Sequence, residues 1–188
     1  EVNKYGNVAS MRSSGVEVSL TTTNIRTRDF SWSTNFIYSH SQNIVTELEN
    51  QVRMIDLISG TGFTRVGYPV RSLFSLQFDG LNEEGLPTFI NENGEKTVSG
   101  IYFQERDEEK LKNLVYSGSV DPTDVGSFGN IFSYKGLKLN VFITYSFGNV
   151  IRLDPVFSST YDDLNSMPKE FRNRWTVPGD ENYTTINR

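Results

Sequence analysis

Two adjacent carboxylate pairs, Glu83 with Glu84 and Asp162 with Asp163, are the side chains here that could divide the work of a general acid and a general base. No motif frames either pair, and neighbouring acids in a polar loop are ordinarily solvated, so the catalytic assignment is none and the chain reads as no enzyme. His40 is the sole histidine and there is no cysteine, which removes histidine triads, multi-histidine zinc sites, thiolate catalysis and disulfides together. Asp79 to Gly85 offers oxygen donors and two glycines to a loop calcium ion, yet it lacks the spaced acids and terminal bidentate Glu of a calcium hand. No other metal or cofactor is expected. Trp175, followed by Pro178, Gly179 and Asp180, has a ring that could stack on a sugar; the plainer reading is a Trp-anchored loop packed on its neighbours.

The elements that must position these residues are strands. From Leu137 to Phe147 every second residue is bulky and apolar (Leu137, Leu139, Val141, Ile143, Tyr145, Phe147), with Lys138, Asn140, Thr144 and Ser146 between them. Gly15 to Ile25 repeats the pattern with Val16, Val18 and Leu20, and Asp29 to Gln42 with Phe30, Trp32, Phe36 and Tyr38. Strict alternation marks a strand with one oily face, and it fits both a half-buried soluble strand and a membrane strand of roughly 9 to 11 residues. Aromatic residues gather near the strand ends, where an amphipathic ring would sit at lipid headgroup level. A soluble β-sandwich with an aromatic-rich core shares this pattern, so a secreted carbohydrate-binding or adhesive module stands as the alternative.

Composition narrows the classes. Of 188 residues 36% are hydrophobic and 13% aromatic, a balance that favours strands and loops over helices. A net charge of −5 leaves no broad basic face for phosphate backbones, which argues against nucleic acid. No apolar run approaches the ~18 residues of a spanning helix, so membrane insertion would be by barrel. The opening residues Glu1, Val2 and Asn3 carry no export signal.

Very short and very long connections alternate along the chain. Arg26 to Arg28 and Lys135 to Gly136 are short turns; Asn43 to Gly67 and Asn82 to Asp121 read as long loops, with a helical turn at Glu105 to Lys112. Barrels in the outer membrane place short turns on the periplasmic side and long loops outside. A strand over Arg71 to Gly80, interrupted in pattern by Leu73, then requires a hidden partner near Leu114 to Gly118, for about six strands in all. Strand parity alone would turn Glu17, Asn35, Lys138 and Asn140 toward a polar lumen, and these are the ligand-facing candidates with Trp175 as a loop candidate. The tail after Gly148 reads as irregular.

Five segments, "GVEVSL", "DFSWSTNFIYSHSQNIV", "FDGLNEEGLPTF", "YSGSVDPTDVGSFGNIFSYKGLKLNVFITYSFGN" and "RWTVPGD", in this order, resemble the C-terminal third of the SusC/RagA family of TonB-dependent outer-membrane transporters. The resemblance implies an all-β, antiparallel transmembrane barrel of about 22 strands, of which this chain is one part. It further implies an integral location in the outer membrane of a Gram-negative cell and a SusD-like surface lipoprotein seated on the extracellular loops. Import of oligosaccharides or peptides would be coupled to TonB through a plug, TonB box and closing strands outside this sequence. Positions 1–188 would all belong to one barrel domain.

Overall fold

The computed structural model describes residues 9–156 and 166–187. Asp162 and Asp163 lie outside the described residues. The chain divides into two compact units, residues 1–50, 63–72 and 118–150 in one and 51–62, 73–117 and 151–188 in the other.

The first unit is a sheet. Strands β1 (Ala9–Arg26), β2 (Phe30–Leu48), β8 (Asp124–Tyr134) and β9 (Leu137–Phe147) lie in the order β1-β2-β8-β9, every neighbour antiparallel. Both expected short turns exist. Lys135 and Gly136 take φ of 44° and 87°, the two positive values of the tight hairpin turn whose twist matches its strands. The other turn is closed by Thr27, whose N–H donates to the Phe30 carbonyl at 2.7 Å while Phe30 N–H returns to the Thr27 hydroxyl at 3.1 Å. The turns adjoin, because Lys135 N–H donates to the Asp29 carbonyl at 3.0 Å.

Cross-strand registers sort the side chains cleanly. One face carries the rows Phe30–Tyr134–Leu137, Trp32–Phe132–Leu139, Thr34–Asn130–Val141, Phe36–Phe128–Ile143, Tyr38–Gly126–Tyr145 and His40–Asp124–Phe147, with Leu20, Val18 and Val16 extending the last three onto β1. At ~6.8 Å per row the five intervals cover ~34 Å of strand, or ~26 Å along the normal at a barrel tilt near 40°, the height of an outer-membrane apolar band. Among the described residues none covers that face: Leu137 is 76% exposed, Leu139 60% and Leu20 54%. A sandwich would bury these same residues against a second sheet.

The second unit has an interior of its own. Helix α1 (Met54–Ile58), strands β3 (Ser72–Ser75), β4 (Gln77–Leu81), β5 (Pro87–Ile90), β6 (Lys96–Thr97), helix α2 (Glu108–Leu111) and strand β7 (Val115–Ser119) complete the chain-order elements. β4, β5 and β6 form a three-stranded antiparallel meander, and β3 pairs with β7. Met54, Leu57, Phe74 and Leu111 are excluded from solvent almost entirely, with Val52, Leu73, Leu81 and Leu114 close behind. Asp107 caps α2 by accepting Glu109 N–H at 2.9 Å, at the expected helical turn.

Several sequence expectations are revised here. Every expected strand segment is extended, but only four strands make the long sheet. Arg71 to Gly80 is not one spanning strand; it breaks into β3 and β4, which belong to different sheets. Leu73 and Phe74 are adjacent and both buried, so β3 is apolar on two sides and the alternation fails there. The partner sought near Leu114 to Gly118 is β7, five residues long and paired with β3. Parity needs neither strand, since β2 bonds directly to β8 from Phe30↔Tyr134 to His40↔Asp124. The expected loop at Asn43 to Gly67 begins instead as the last part of β2, where Val45 is buried and exchanges backbone bonds with Gly67 and Tyr68. In the tail, 3₁₀ turns occupy Lys169–Asn173 and Asp180–Asn182.

Candidate functional site

The registers place Glu17, Asn35, Lys138 and Asn140 on one face, opposite the apolar rows. That face reads Glu17–Ser39–Val125–Ser146, Ser19–Ile37–Ser127–Thr144, Thr21–Asn35–Gly129–Phe142, Thr23–Ser33–Ile131–Asn140 and Arg26–Ser31–Ser133–Lys138. It is a hydroxyl and amide surface broken by Ile37, Val125, Ile131 and Phe142. All four candidates are exposed. They are not a cluster: Glu17 and Lys138 stand four rows apart, ~27 Å along the strands, while Asn35 and Asn140 are in adjacent rows separated by β8. The arrangement can offer a solute dispersed hydrogen-bonding groups, and no catalytic constellation.

Polar groups on the apolar face are tied to one another. Asn130 Oδ1 accepts from Trp32 Nε1 at 2.9 Å and from the Thr34 hydroxyl at 2.8 Å; Thr34 accepts from Asn24 Nδ2 at 2.6 Å, and Asn24 Oδ1 from Thr22 at 2.9 Å. Asn24 reaches this chain because β1 shifts register between Thr23 and Ile25. A polar atom facing hydrocarbon without a partner is costly, and this ladder supplies the partners. At the far end Asp124 accepts from the Tyr38 hydroxyl at 2.6 Å and the Thr123 hydroxyl at 2.6 Å, and its Oδ1 lies 2.8 Å from His40 Nδ1. His40 thus stands where β8 begins, at the edge of the apolar band. Neither group was visible in the sequence, since the bonds from Trp32 and Thr34 to Asn130 and from Tyr38 and His40 to Asp124 join residues far apart along the chain through the β2–β8 register.

In the second unit Trp175 is half-buried with its ring against Gly85. Gly85 has φ of 74°, and any Cβ there would overlap the ring, so only glycine serves. Asn82 builds the turn beneath: its Oδ1 accepts Glu84 N–H at 3.0 Å and Leu86 N–H at 2.8 Å. Asn91 repeats the device, accepting Asn93 N–H at 3.0 Å and Glu95 N–H at 2.8 Å. On the Trp175 side Asp180 Oδ2 accepts the Thr176 hydroxyl at 2.8 Å, Thr176 N–H at 3.0 Å and Val177 N–H at 3.1 Å. Those bonds, the Thr176 hydroxyl first, hold the Asp180 carboxyl below its usual range. Glu181 is lowered likewise, by its own N–H, by Trp175 Nε1 at 3.1 Å and by Gly179 N–H at 2.8 Å.

The oxygen-rich loop is similarly engaged. Asp79 Oδ2 lies 2.9 Å from Lys96 Nζ, and Asn82 Oδ1 is taken by its own turn. Among the described residues no three His, Cys, Asp or Glu side chains converge as a metal site. Glu83 and Glu84 stand in the turn between β4 and β5, with no residue placing them as an acid and base pair.

An antiparallel sheet with an uncovered apolar band, a polar reverse face and short turns at one end is the wall of a membrane β-barrel, carrying one long insertion with its own core. Comparison with known proteins gives the same class. The chain is 30% identical over 160 residues to TonB-dependent receptor P26 of Formosa agariphila, a match covering 77% of this chain and 16% of that receptor. It is 26% identical over 160 residues to TonB-dependent receptor P3 of the same organism, again 77% of this chain and 16% of the receptor. Its fold matches the structure of the RagAB peptide transporter with TM-score 0.67 and 24% identity, over 98% of this chain and 20% of that one. The RagAB peptide importer in its open-open state matches with TM-score 0.64 and 22% identity, over 96% and 19%. No family model matches the chain. The chain is thus similar in sequence to one stretch of TonB-dependent receptors and shares its fold with one stretch of the RagAB transporter. It spans about a sixth of the length of the first two receptors it matches.

Proposed function

We propose that this chain is barrel wall and extracellular loop of an outer-membrane nutrient importer that takes up oligosaccharides or peptides. The observation that carries the reading is a six-row face, apolar except for the internally bonded Thr34–Asn130 and His40–Asp124 pairs, left uncovered among the described residues on a four-stranded antiparallel sheet, with a mostly hydroxyl and amide face behind it. In this reading the bare rows meet acyl chains and the polar rows, with Glu17, Asn35, Lys138 and Asn140, line the aqueous lumen. The long connection between β2 and β8 is extracellular in this reading, and a SusD-like surface lipoprotein would seat on it. The remaining wall, the plug and the TonB-coupling segment belong to the rest of the transporter. RagAB is a peptide transporter, and the polar rows of this chain suit either cargo class.

Expression of the full-length gene product followed by fractionation tests the reading. The expected result is a protein of the outer-membrane fraction that needs detergent and shifts on gel electrophoresis after heating. Recovery in buffer without detergent would overturn it and favour the soluble binding module. Deleting the gene and measuring growth on defined oligosaccharides or peptides then selects the cargo.

A further inference from the structure

Resting on the membrane reading, we propose that the rim formed by the two short turns binds the phosphate headgroup of an anionic phospholipid, with Arg28 and Lys135 as its cationic contacts. The two turns, braced by the Lys135 to Asp29 backbone bond, border a shallow open pocket of about 290 Å³ lined by Arg26, Arg28, Asp29, Phe30, Tyr134 and Lys135 among others. Three cations against one acid make this rim +2 in a chain whose net charge is −5. None of the three cations has an ion-pair partner among the described residues, although Arg71, Lys96, Lys110 and Lys112 all do.

The direction of the rim matters as much as its charge. Lys135 Nζ lies 5.4 Å from the centre of the Tyr134 ring, and Tyr134 shares its row with Phe30 and Leu137 on the apolar face. One row deeper Trp32 stacks on Phe132 with centroids 5.8 Å apart. A lipid lying on this face would run its acyl chains along Leu137 and Leu139, its glycerol beside the aromatic rings and its phosphate among the cations. Lys135 keeps a positive φ that a side chain seldom adopts, 44°, at the position that delivers this ammonium. Arg26, in the row with Ser31, Ser133 and Lys138, carries the positive charge onto the polar face as well.

Native mass spectrometry of the full-length transporter, purified in detergent and titrated with phosphatidylglycerol or phosphatidylcholine, reads the site directly. We expect retained phosphatidylglycerol and little phosphatidylcholine, with retention of the former falling about tenfold in the Arg28→Gln, Lys135→Gln double variant and unchanged in Lys112→Gln. Both single variants are compared as well, each with the heat-induced gel shift as proof of a folded barrel. Equal retention by a folded double variant, or equal binding of both lipids, would overturn the proposal while leaving the barrel reading intact. Displacement of phosphatidylglycerol by millimolar inorganic phosphate would overturn it in favour of a free-anion site. Loss of the gel shift in the unsubstituted protein would sink the membrane reading itself.

Discussion

The sheet unit and the loop unit solve the same problem in opposite ways. Both must give apolar side chains an environment, yet in the sheet Leu20, Leu139 and Ile143 stay bare, whereas in the loop unit Leu57, Phe74 and Leu111 are sealed inside. The sheet hands its apolar rows to an external solvent and needs no thickness. The loop unit, without lipid, must make an interior from α1, α2 and short strands, and it ties its turns with Asn82, Asn91, Asp107 and Asp180 because few backbone ladders are available there. One face of a strand suffices where the solvent is hydrocarbon; two buried sides are needed where it is water.

Substitutions can break this contrast, beginning with the loop core. Phe74→Ala removes a fully buried ring and is expected to destabilise the loop unit by about 3 to 5 kcal/mol, checked by the denaturant midpoint of loop proteolysis in the intact transporter. Leu139→Ala, of the same apolar character but bare, is expected to leave that midpoint in place. Next in size, Val141→Arg on the apolar face should cost about 2 to 4 kcal/mol of folding free energy in bilayers, while Asn140→Arg on the reverse face costs little. Equal or reversed values would refute the face assignment.

A smaller effect tests the joint between two loop motifs. Gly85→Ala should cost about 1 to 3 kcal/mol through overlap with Trp175 and its positive φ, and adding Trp175→Ala should return part of that cost. Additive losses would show that the ring does not press on Gly85. Subtlest is an acid effect confined to the loop unit. Glu105 accepts Asp107 N–H at 3.0 Å, Lys110 Nζ at 3.0 Å and Arg106 N–H at 2.9 Å, which lower its carboxyl to about 2. A depressed carboxyl contributes stability that is complete above the unfolded value of ~4.3 and is lost as pH falls from there toward about 2. Loop stability followed over that window should decline, and Glu105→Gln should flatten the decline; parallel curves would place the acid sensitivity elsewhere.

Much of the sheet was legible because each of its faces keeps one character along the strands. Val16 to Leu20, Phe30 to Tyr38 and Leu137 to Phe147 each put apolar side chains on one face and mostly polar ones on the other, so local alternation carries the whole message. The same rule failed at Leu73 and Phe74, where burial on both sides erases the period, and at Asn43 to Leu48, where β2 runs on past the band. Of the candidate site, the shared face of Glu17, Asn35, Lys138 and Asn140 followed from parity. Their dispersion over several rows did not, nor did the groupings at Asn130 and Asp124, because each depends on register between distant segments.

By itself, then, the sequence determined which side chains of each strand travel together, where the tight turns fall and which family the ordered motifs resemble. Tertiary structure alone decided that β2 pairs with β8 across the insertion at residues 49–123, and so that the wall here has four strands and the insertion its own core. The division has a physical cause. Side-chain alternation is a property of neighbouring residues, whereas strand pairing is a choice among distant partners made by closing hydrogen bonds and burying surface together.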